Sequence, residues 1–389
     1  MAPALPGGVS KDGDLHLNAV AVKRAEPRRI WVLAGDKPGD NAQCLALAAA
    51  LGWPTEVKKL RYLERPHRLL RPTAQPRYPL DTVASSPLEP PWPDLVIGCG
   101  RRSVSVACDI RRRAGATTRL VQLGRPVADL TLFDLIVTTP QYRLPEHPNV
   151  LHLNLPMHSA DPETWSRAAA EWEPRFAALP RPRIALLVGG SAKPYVFDVP
   201  AALRLADDVN ALVRAEGGSL LVSTSRRTPE AAAQALCNAL AVPAYVHRWT
   251  PAGGANPYLA YLALADAFVV TNDSASMLAE ACSTGRRVWF ATLPQRRTWA
   301  SYAKDLLRRI VLAPAEHPRL ARLPIASWLA ELPAKGKLRY PRDLRRLHAA
   351  LVETGRALPL GRAFIAPPPP PVEEIERATA RVHALFADG

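Results

Sequence analysis

The sequence predicts an α/β protein made of two Rossmann-like, parallel-sheet domains that face each other across a cleft. Three observations carry this prediction. Short, continuously apolar runs recur, as strands buried on both faces of a sheet require. Helix-like stretches alternate with them. The whole pattern appears twice, on either side of a mixed segment at 160–182. A chain of 389 residues with 48% apolar composition has enough material for two such cores.

The first series opens with the apolar run 30–33, the loop 35–39 and a helix pattern over 41–51 that Gly52 closes. A second unit follows: strand 95–97, Gly98-Cys99-Gly100, a helix over 104–114 and a strand at 120–123. Apolar runs at 133–137 and 150–153 complete the set. The second series starts with strand 184–188, which ends in Gly189-Gly190. A helix over 200–216 has Pro200 in its first turn and Gly217-Gly218 after its end. Strand 219–222, loop 223–227 and a helix begun by Thr228-Pro229-Glu230 come next. The last units are a helix from Asn256-Pro257 through Ala265, strand 268–270, a helix over 276–284 capped by Asp273 and Ser274, and strand 288–290. The expected division is a basic, disordered tail at 1–29, an amino-terminal domain at 30–160, a connector at 161–182, a second domain at 183–335, and a helical, proline-rich extension at 336–389 with a final helix over 372–386.

Composition narrows the function classes. The formal net charge of +15 favours acidic partners, substrates or surfaces. The five Cys residues form no CxxC and have no His at ligand spacing, so no metal site is expected and a reducing compartment is. No apolar stretch is long enough to span a bilayer, and the first 29 residues do not read as a secretory signal. Aromatic content of 6% and the lack of a binding motif argue against nucleic acid. The stretch 58–71 interleaves Lys and Arg with Leu and Tyr62, a pattern suited either to an anionic leaflet or to a solvated helix. Cytoplasmic placement, with contact at the inner face of a membrane as one option, is the expectation. The Arg runs at 111–113, 296–297 and 308–309 read as solvated faces.

Four strand-end loops carry the chemistry. Gly189, Gly190 and Lys193 join two residues without side chains to an ammonium group, a combination suited to phosphate although no P-loop pattern is present. Ser223, Thr224, Ser225, Arg226 and Arg227 sit before a helix N-terminus and combine three hydroxyls with two guanidinium groups, as an anion cradle would, with Thr224, Ser225 and Arg226 as the candidate contacts. Asp273, Ser274, Ser276 and Glu280 form the third group, with Ser276 and Glu280 on one helix face so that the carboxylate can meet a ribose diol. In the first half, Gly35, Gly39, Asn41 and Gln43, with Gly98 and Gly100 on the next loop, form the acceptor side, where Asp40 or Asp36 is the candidate general base. The alternative readings are ordinary ones: tight turns, helix caps and surface charges.

These motifs, above all 256–266 and 273–281, resemble the bacterial branch of the mitochondrial-fission ELM-one family, over about 30–294. The resemblance implies a GT-B-like glycosyltransferase architecture with a nucleotide-sugar donor in the second domain and an acceptor in the first. It implies phosphate contacts at Gly189, Gly190, Ser225 and Arg226, and ribose or sugar contacts at Ser274, Ser276 and Glu280. Where related glycosyltransferases often carry Gly-His, this chain has Gly39-Asp40, so a histidine base is missing. The function expected is glycosyl transfer from a nucleoside-diphosphate sugar to an acceptor hydroxyl, the donor being substrate and no cofactor being required. A lipid-linked acceptor at a membrane is one possibility. A nucleotide-sugar epimerase and a non-catalytic, membrane-associated scaffold remain the alternatives.

Overall fold

The computed structural model describes residues 28–63, 79–115, 117–158, 162–296, 342–369 and 374–387, with a few single positions between 299 and 336. Two six-stranded sheets, parallel throughout, dominate it. The first runs in the order β2-β1-β3-β4-β5-β6, from β1 (Ile30–Ala34), β2 (Thr55–Lys59), β3 (Leu95–Cys99), β4 (Arg119–Leu123), β5 (Leu135–Thr138) and β6 (Val150–His152). The second runs β12-β11-β10-β7-β8-β9, from β7 (Arg183–Gly190), β8 (Ser219–Arg227), β9 (Ala244–His247), β10 (Ala267–Thr271), β11 (Arg287–Ala291) and β12 (Leu358–Pro359). This is the expected α/β architecture, two Rossmann-like sheets facing across a cleft in a GT-B-like arrangement.

Burial on both faces explains the apolar runs. All eight residues of β7 and all five of β10 are buried, which removes water from the competition for their ladder hydrogen bonds. The helices that cover the sheets are α1 (Pro38–Leu51), α2 (Gly100–Arg113), α3 (Pro162–Phe176), α4 (Val199–Glu216), α5 (Glu230–Ala239), α6 (Tyr258–Leu264) and α7 (Ala275–Ser283). In α4, Asp198 accepts the Ala201 amide at 3.1 Å, and Gly217 ends the helix in the left-handed conformation at φ 75°.

Two further helices complete the description. Helix α8 (Leu344–Glu353) packs against the second core through Leu344, Leu347 and Leu351. Helix α9 (Glu374–Ala384) returns to the first core, where Ala378 and Val382 are buried. Trp53, just after α1, meets His383 and Phe386 edge-on, each with centroids 5.3 Å apart, and Arg28 lies over the same two aromatic rings, Trp53 and Phe386.

The structure departs from the sequence reading in several places. Strands β2, β9 and β12 were not expected; β12 lies in what reads as a helical, proline-rich extension and pairs with β11. Lys58 and Lys59 belong to β2 and not to a surface helix; Lys58 is buried, its Nζ 4.0 Å from the centre of the Trp31 ring and 2.6 Å from Glu56. The remainder of that basic stretch, 64–71, lies outside the described residues, as do 1–27 of the expected tail and the Arg308-Arg309 pair. Residues 223–227 continue β8 instead of forming a loop, and Gly189-Gly190 still belong to β7. Arg111 is not a solvated charge. It is half-buried, donating to Asp134 and to the carbonyls of Thr118 and Leu132.

Each sheet reverses its strand order once. In the first, α1 and α2 leave opposite sides at the ends of β1 and β3; in the second, the reversal lies between β7 and β10. Ligands of open parallel sheets bind outside the carboxyl ends of strands at such points. The two reversal points therefore locate the site.

Candidate functional site

A cavity of about 420 Å³ lies between the domains where these strand ends meet. Its second-domain wall includes Arg226, Arg227, Asp273, Ser274 and Ser276, and its first-domain wall includes Gly39, Asp40, Gln43 and Cys99. The first turns of α1 and α7 face one another: a Cβ added to Gly39 would sit 3.9 Å from Ser276 Oγ.

On the second-domain side, one polar network joins the ends of three strands. The Gly189 amide donates to Thr271 Oγ1 at 2.7 Å, and that hydroxyl donates to Asp273 Oδ1 at 2.7 Å. The other carboxylate oxygen of Asp273 receives Arg227 Nη1 at 2.6 Å. Gly189 is required here by space, since a Cβ would lie 2.6 Å from both Asp273 oxygens. Gly190 is required by conformation, at φ 107°, and by the carbonyl of Arg227 against it. Burial pushes the Asp273 carboxyl above its ordinary range, while Arg227 and Thr271 pull it back down.

This network changes what several residues can do. The Gly189 amide faces inward, so it is not free for a phosphate. Ser225 donates to the Gly189 carbonyl, and its own amide is bonded to Thr228 Oγ1 at 2.9 Å. Thr224 Oγ1 receives the Trp249 amide at 2.9 Å. Lys193 is exposed and does not line the cavity. What lines this wall of the cavity instead is a pair of arginines, one anchored (Arg227) and one without a described partner (Arg226). Arg227 is the second of the two guanidinium groups that the sequence offers in 223–227, and the buried Asp273 is what anchors it.

Helix α7 adds donors. Its N-cap, Ser274, makes no side-chain cap bond, and neither does Asp273, which is the buried partner of Arg227 and not a cap. The amides of Ala275, Ser276 and Met277 therefore have no acceptor among the described residues. The two serine hydroxyls lie 3.4 Å apart beside them. Glu280, one turn further, accepts the hydroxyl of Tyr258, and burial pushes its carboxyl above the ordinary range. It does not line the cavity.

On the first-domain side, Asp40 lies in the first turn of α1 with one oxygen 3.7 Å from Lys37 Nζ. The same oxygen sits 3.4 Å from where a Gly100 Cβ would be, at φ 73°. Asp36 is drawn elsewhere, to Arg102 at 3.0 Å, and is not part of the wall. Asn41 clamps Gly35 in both directions, at 2.9 and 2.8 Å, which fixes the loop. Gln43 donates to the Gly39 carbonyl at 3.2 Å and lines the cavity. Gly98 leaves room for Ser103, whose Oγ would be 2.8 Å from a Cβ there. The half-buried Cys99 thiol is hydrogen-bonded to Cys44, which together with desolvation holds it well above its ordinary range. Among the described residues, no group of three or more His, Cys, Asp or Glu is disposed to hold a metal ion. Nor is any helix among them long and apolar enough to cross a membrane.

The fold and the cleft define a two-domain protein of the Rossmann-pair class with a cavity between its halves. The chain belongs to the mitochondrial fission ELM1 family, whose model matches residues 38–333. It is 31% identical over 229 residues to mitochondrial fission protein ELM1 of Arabidopsis thaliana, covering 53% of each chain, so it spans about half the length of that relative. It is 25% identical over 304 residues to protein RP120 of Rickettsia prowazekii, covering 67% of this chain and 82% of the relative. Among solved structures it is similar to UDP-GlcNAc 2-epimerase from Methanocaldococcus jannaschii, with a TM-score of 0.44 and 11% identity over 93% of this chain and 100% of the other. MurG from Acinetobacter baumannii gives a TM-score of 0.39 and 15% identity over 92% and 100%.

Proposed function

We propose that the protein transfers a glycosyl group from a nucleoside-diphosphate sugar to an acceptor hydroxyl in the interdomain cleft. The observation that carries this reading is the unsatisfied N-terminus of α7, with its three open amides and two serine hydroxyls, placed beside Arg226 and Arg227 and opposite Asp40. A diphosphate needs several fixed donors aimed at one place, and a dipole end with two guanidinium groups supplies them.

In the reaction, the acceptor oxygen forms a bond to the anomeric carbon while the bond from that carbon to the diphosphate oxygen breaks. The electron pair leaves with the diphosphate, where the α7 amides and the arginines meet the growing charge. The acceptor proton passes to the Asp40 carboxylate, the ionisable acid of the first-domain wall. Arg227, held by Asp273, is a positioned charge, while Glu280, bonded to Tyr258, lies outside the cavity lining.

The test uses the full chain with a panel of nucleoside diphosphates. A ligand at a hundred times its Kd adds about 2.7 kcal/mol to stability and raises Tm. Ser276→Asp separates binding from folding: an acid in a first helical turn favours the helix but repels a diphosphate. Expected is a thermal shift in the wild type and none in Ser276→Asp, whose unliganded Tm is unchanged or higher. No shift with any nucleotide removes the proposal. Release of an epimeric nucleotide sugar without acceptor would assign the epimerase reading.

A further inference from the structure

The first-domain wall of the cavity carries a donor that nothing in the fold uses. Tyr142 lines the cavity together with Asp40 and Gly124. Its side chain is half-buried. The hydroxyl has no hydrogen-bond partner among the described residues, yet it is not sealed off as the side-chain oxygens of Thr138 and Gln141 are. The ring is held in place: a Cβ on Gly124, at φ 74° just after β4, would lie 3.5 Å from the Tyr142 hydroxyl, so the phenol end runs along that glycine. The Tyr142 amide donates to the Thr139 carbonyl at 3.0 Å, and Arg143 takes the left-handed conformation at φ 52°, which a non-glycine residue seldom adopts. Arg342, just before α8, lines the cavity too. It is exposed, makes no ion pair among the described residues and holds its Cζ 5.8 Å from the centre of the Tyr142 ring. Burial raises the phenol pKa against the pull of Arg342, and Cys99 and Asp40 push the same way, so at neutral pH the hydroxyl keeps its proton and donates.

We infer that Tyr142 and Arg342 form an oxyanion subsite, so that the acceptor carries a phosphate or carboxylate group in addition to the hydroxyl that reacts. The inference rests on the proposed transferase reading only in calling the ligand an acceptor; the two donors are properties of the wall itself. A guanidinium can only donate, and a phenol beside it is left to donate as well. A neutral alcohol offers them a lone pair but leaves the charge of Arg342 unmatched. An oxyanion meets both, through charge-assisted bonds roughly twice as strong as neutral ones. Asp40, on the same wall, has the opposite need: its carboxylate accepts a hydroxyl and repels an anion. The wall therefore sets the direction of the acceptor, oxyanion towards Tyr142 and Arg342, hydroxyl towards Asp40. The diphosphate end, built from α7, Arg226 and Arg227, belongs to the other domain, which makes the two anion sites separate.

Glycerol 3-phosphate, glycerate and glycerol test this with the full chain by titration calorimetry, since the three share hydroxyls and differ in the anionic group. Expected is binding of at least one of the two anions, with glycerol about tenfold weaker; the stronger of the two tells phosphate from carboxylate. Tyr142→Phe deletes an unpaired hydroxyl and Arg342→Gln an exposed charge, so both should keep the wild-type Tm while each weakens the anion about tenfold. Ser276→Asp, which closes the diphosphate end, should leave anion binding in place. No binding of either anion at millimolar concentration, glycerol binding as tightly as the anions, or an anion affinity unchanged in either Tyr142→Phe or Arg342→Gln would overturn the inference. Anion binding that is lost in Ser276→Asp would place the anion at the diphosphate end and overturn it too. UDP is titrated into the same preparation. Anion binding without UDP binding would sink the transferase proposal and leave the subsite, and UDP binding without anion binding would do the reverse.

Discussion

Asp273 and Arg227 form an ion pair of unequal exposure: the carboxylate side chain is fully shielded, while the guanidinium side chain remains 37% exposed and lines the cavity. The acid thus sits beneath the basic group as a fixed support. Its second oxygen is tied through Thr271 to the backbone of β7, so the direction of Arg227 is set by three strands at once.

Gly189→Ala tests that support directly. The new methyl would meet both Asp273 oxygens at 2.6 Å, and those atoms cannot yield without breaking the pair. Overpacking of this kind costs about 1–3 kcal/mol. Chemical denaturation should show the loss, and nucleotide affinity should fall with it. Normal affinity in a destabilised variant would mean that Arg227 does not need its support.

Glu280→Gln should change the pH dependence of stability. The free carboxyl has a reference value of 4.5, and burial raises it in the folded protein. Between those two pH values it is the folded state that holds the proton. The group's stabilising contribution is therefore complete below 4.5 and is lost as pH rises through the folded value. In the Glu280→Gln variant that slope should be absent; unfolding curves from about pH 4 to about pH 8 that remain parallel for the two proteins would contradict the assignment.

His348 should act in the opposite sense. It is buried in α8, stacked on Phe290 with centroids 5.0 Å apart, and desolvation lowers its pKa from 6.5 to about 4. The Asn272 carbonyl and Asp343 favour the charged ring, but burial wins. The unfolded chain takes up the proton first, so stability falls as pH drops from 6.5 towards 4, by about 3 kcal/mol in all. His348→Phe should flatten this part of the profile while keeping the stack.

Trp53→Ala should loosen the return of α9 to the first domain. The indole contacts His383 and Phe386 from the edge and carries Arg28 over its face. A half-buried tryptophan in such a cluster is worth about 2 kcal/mol. Hydrogen exchange should quicken in α9 and leave β7 and β10 protected; uniform change throughout would show that α9 is not a separate unit.

The fold was legible because its strands are buried on both faces and its helices end at glycines. The runs 184–188 and 268–270 admit no other use, and β7 and β10 are where they were expected. Strands β2, β9 and the two-residue β12 escaped notice because they stand at sheet edges, where sequences such as Thr-Glu-Val-Lys-Lys need not be apolar. The site was half legible. The loops with glycines, serines and arginines do meet at one place, yet the inward bonds of Gly189, Ser225 and Thr224 depend on partners up to 82 residues away, which no local pattern discloses. Gln141, Tyr142 and Arg342 gave no signal, since their relation arises only when α8 lies against the loop after β5.

Helix α8 has a mechanical consequence. Its leading residue, Asp343, gives its amide to the Gln141 carbonyl of the first domain at 2.9 Å, while its inner face lies on the second core and His348 rests on Phe290 of β11. Any widening of the gap must either break that bond or pivot around it. Entry of a ligand is thus tied to the stiffness of a ten-residue rod, and a change on its outer face could tune access without touching a single group that lines the gap.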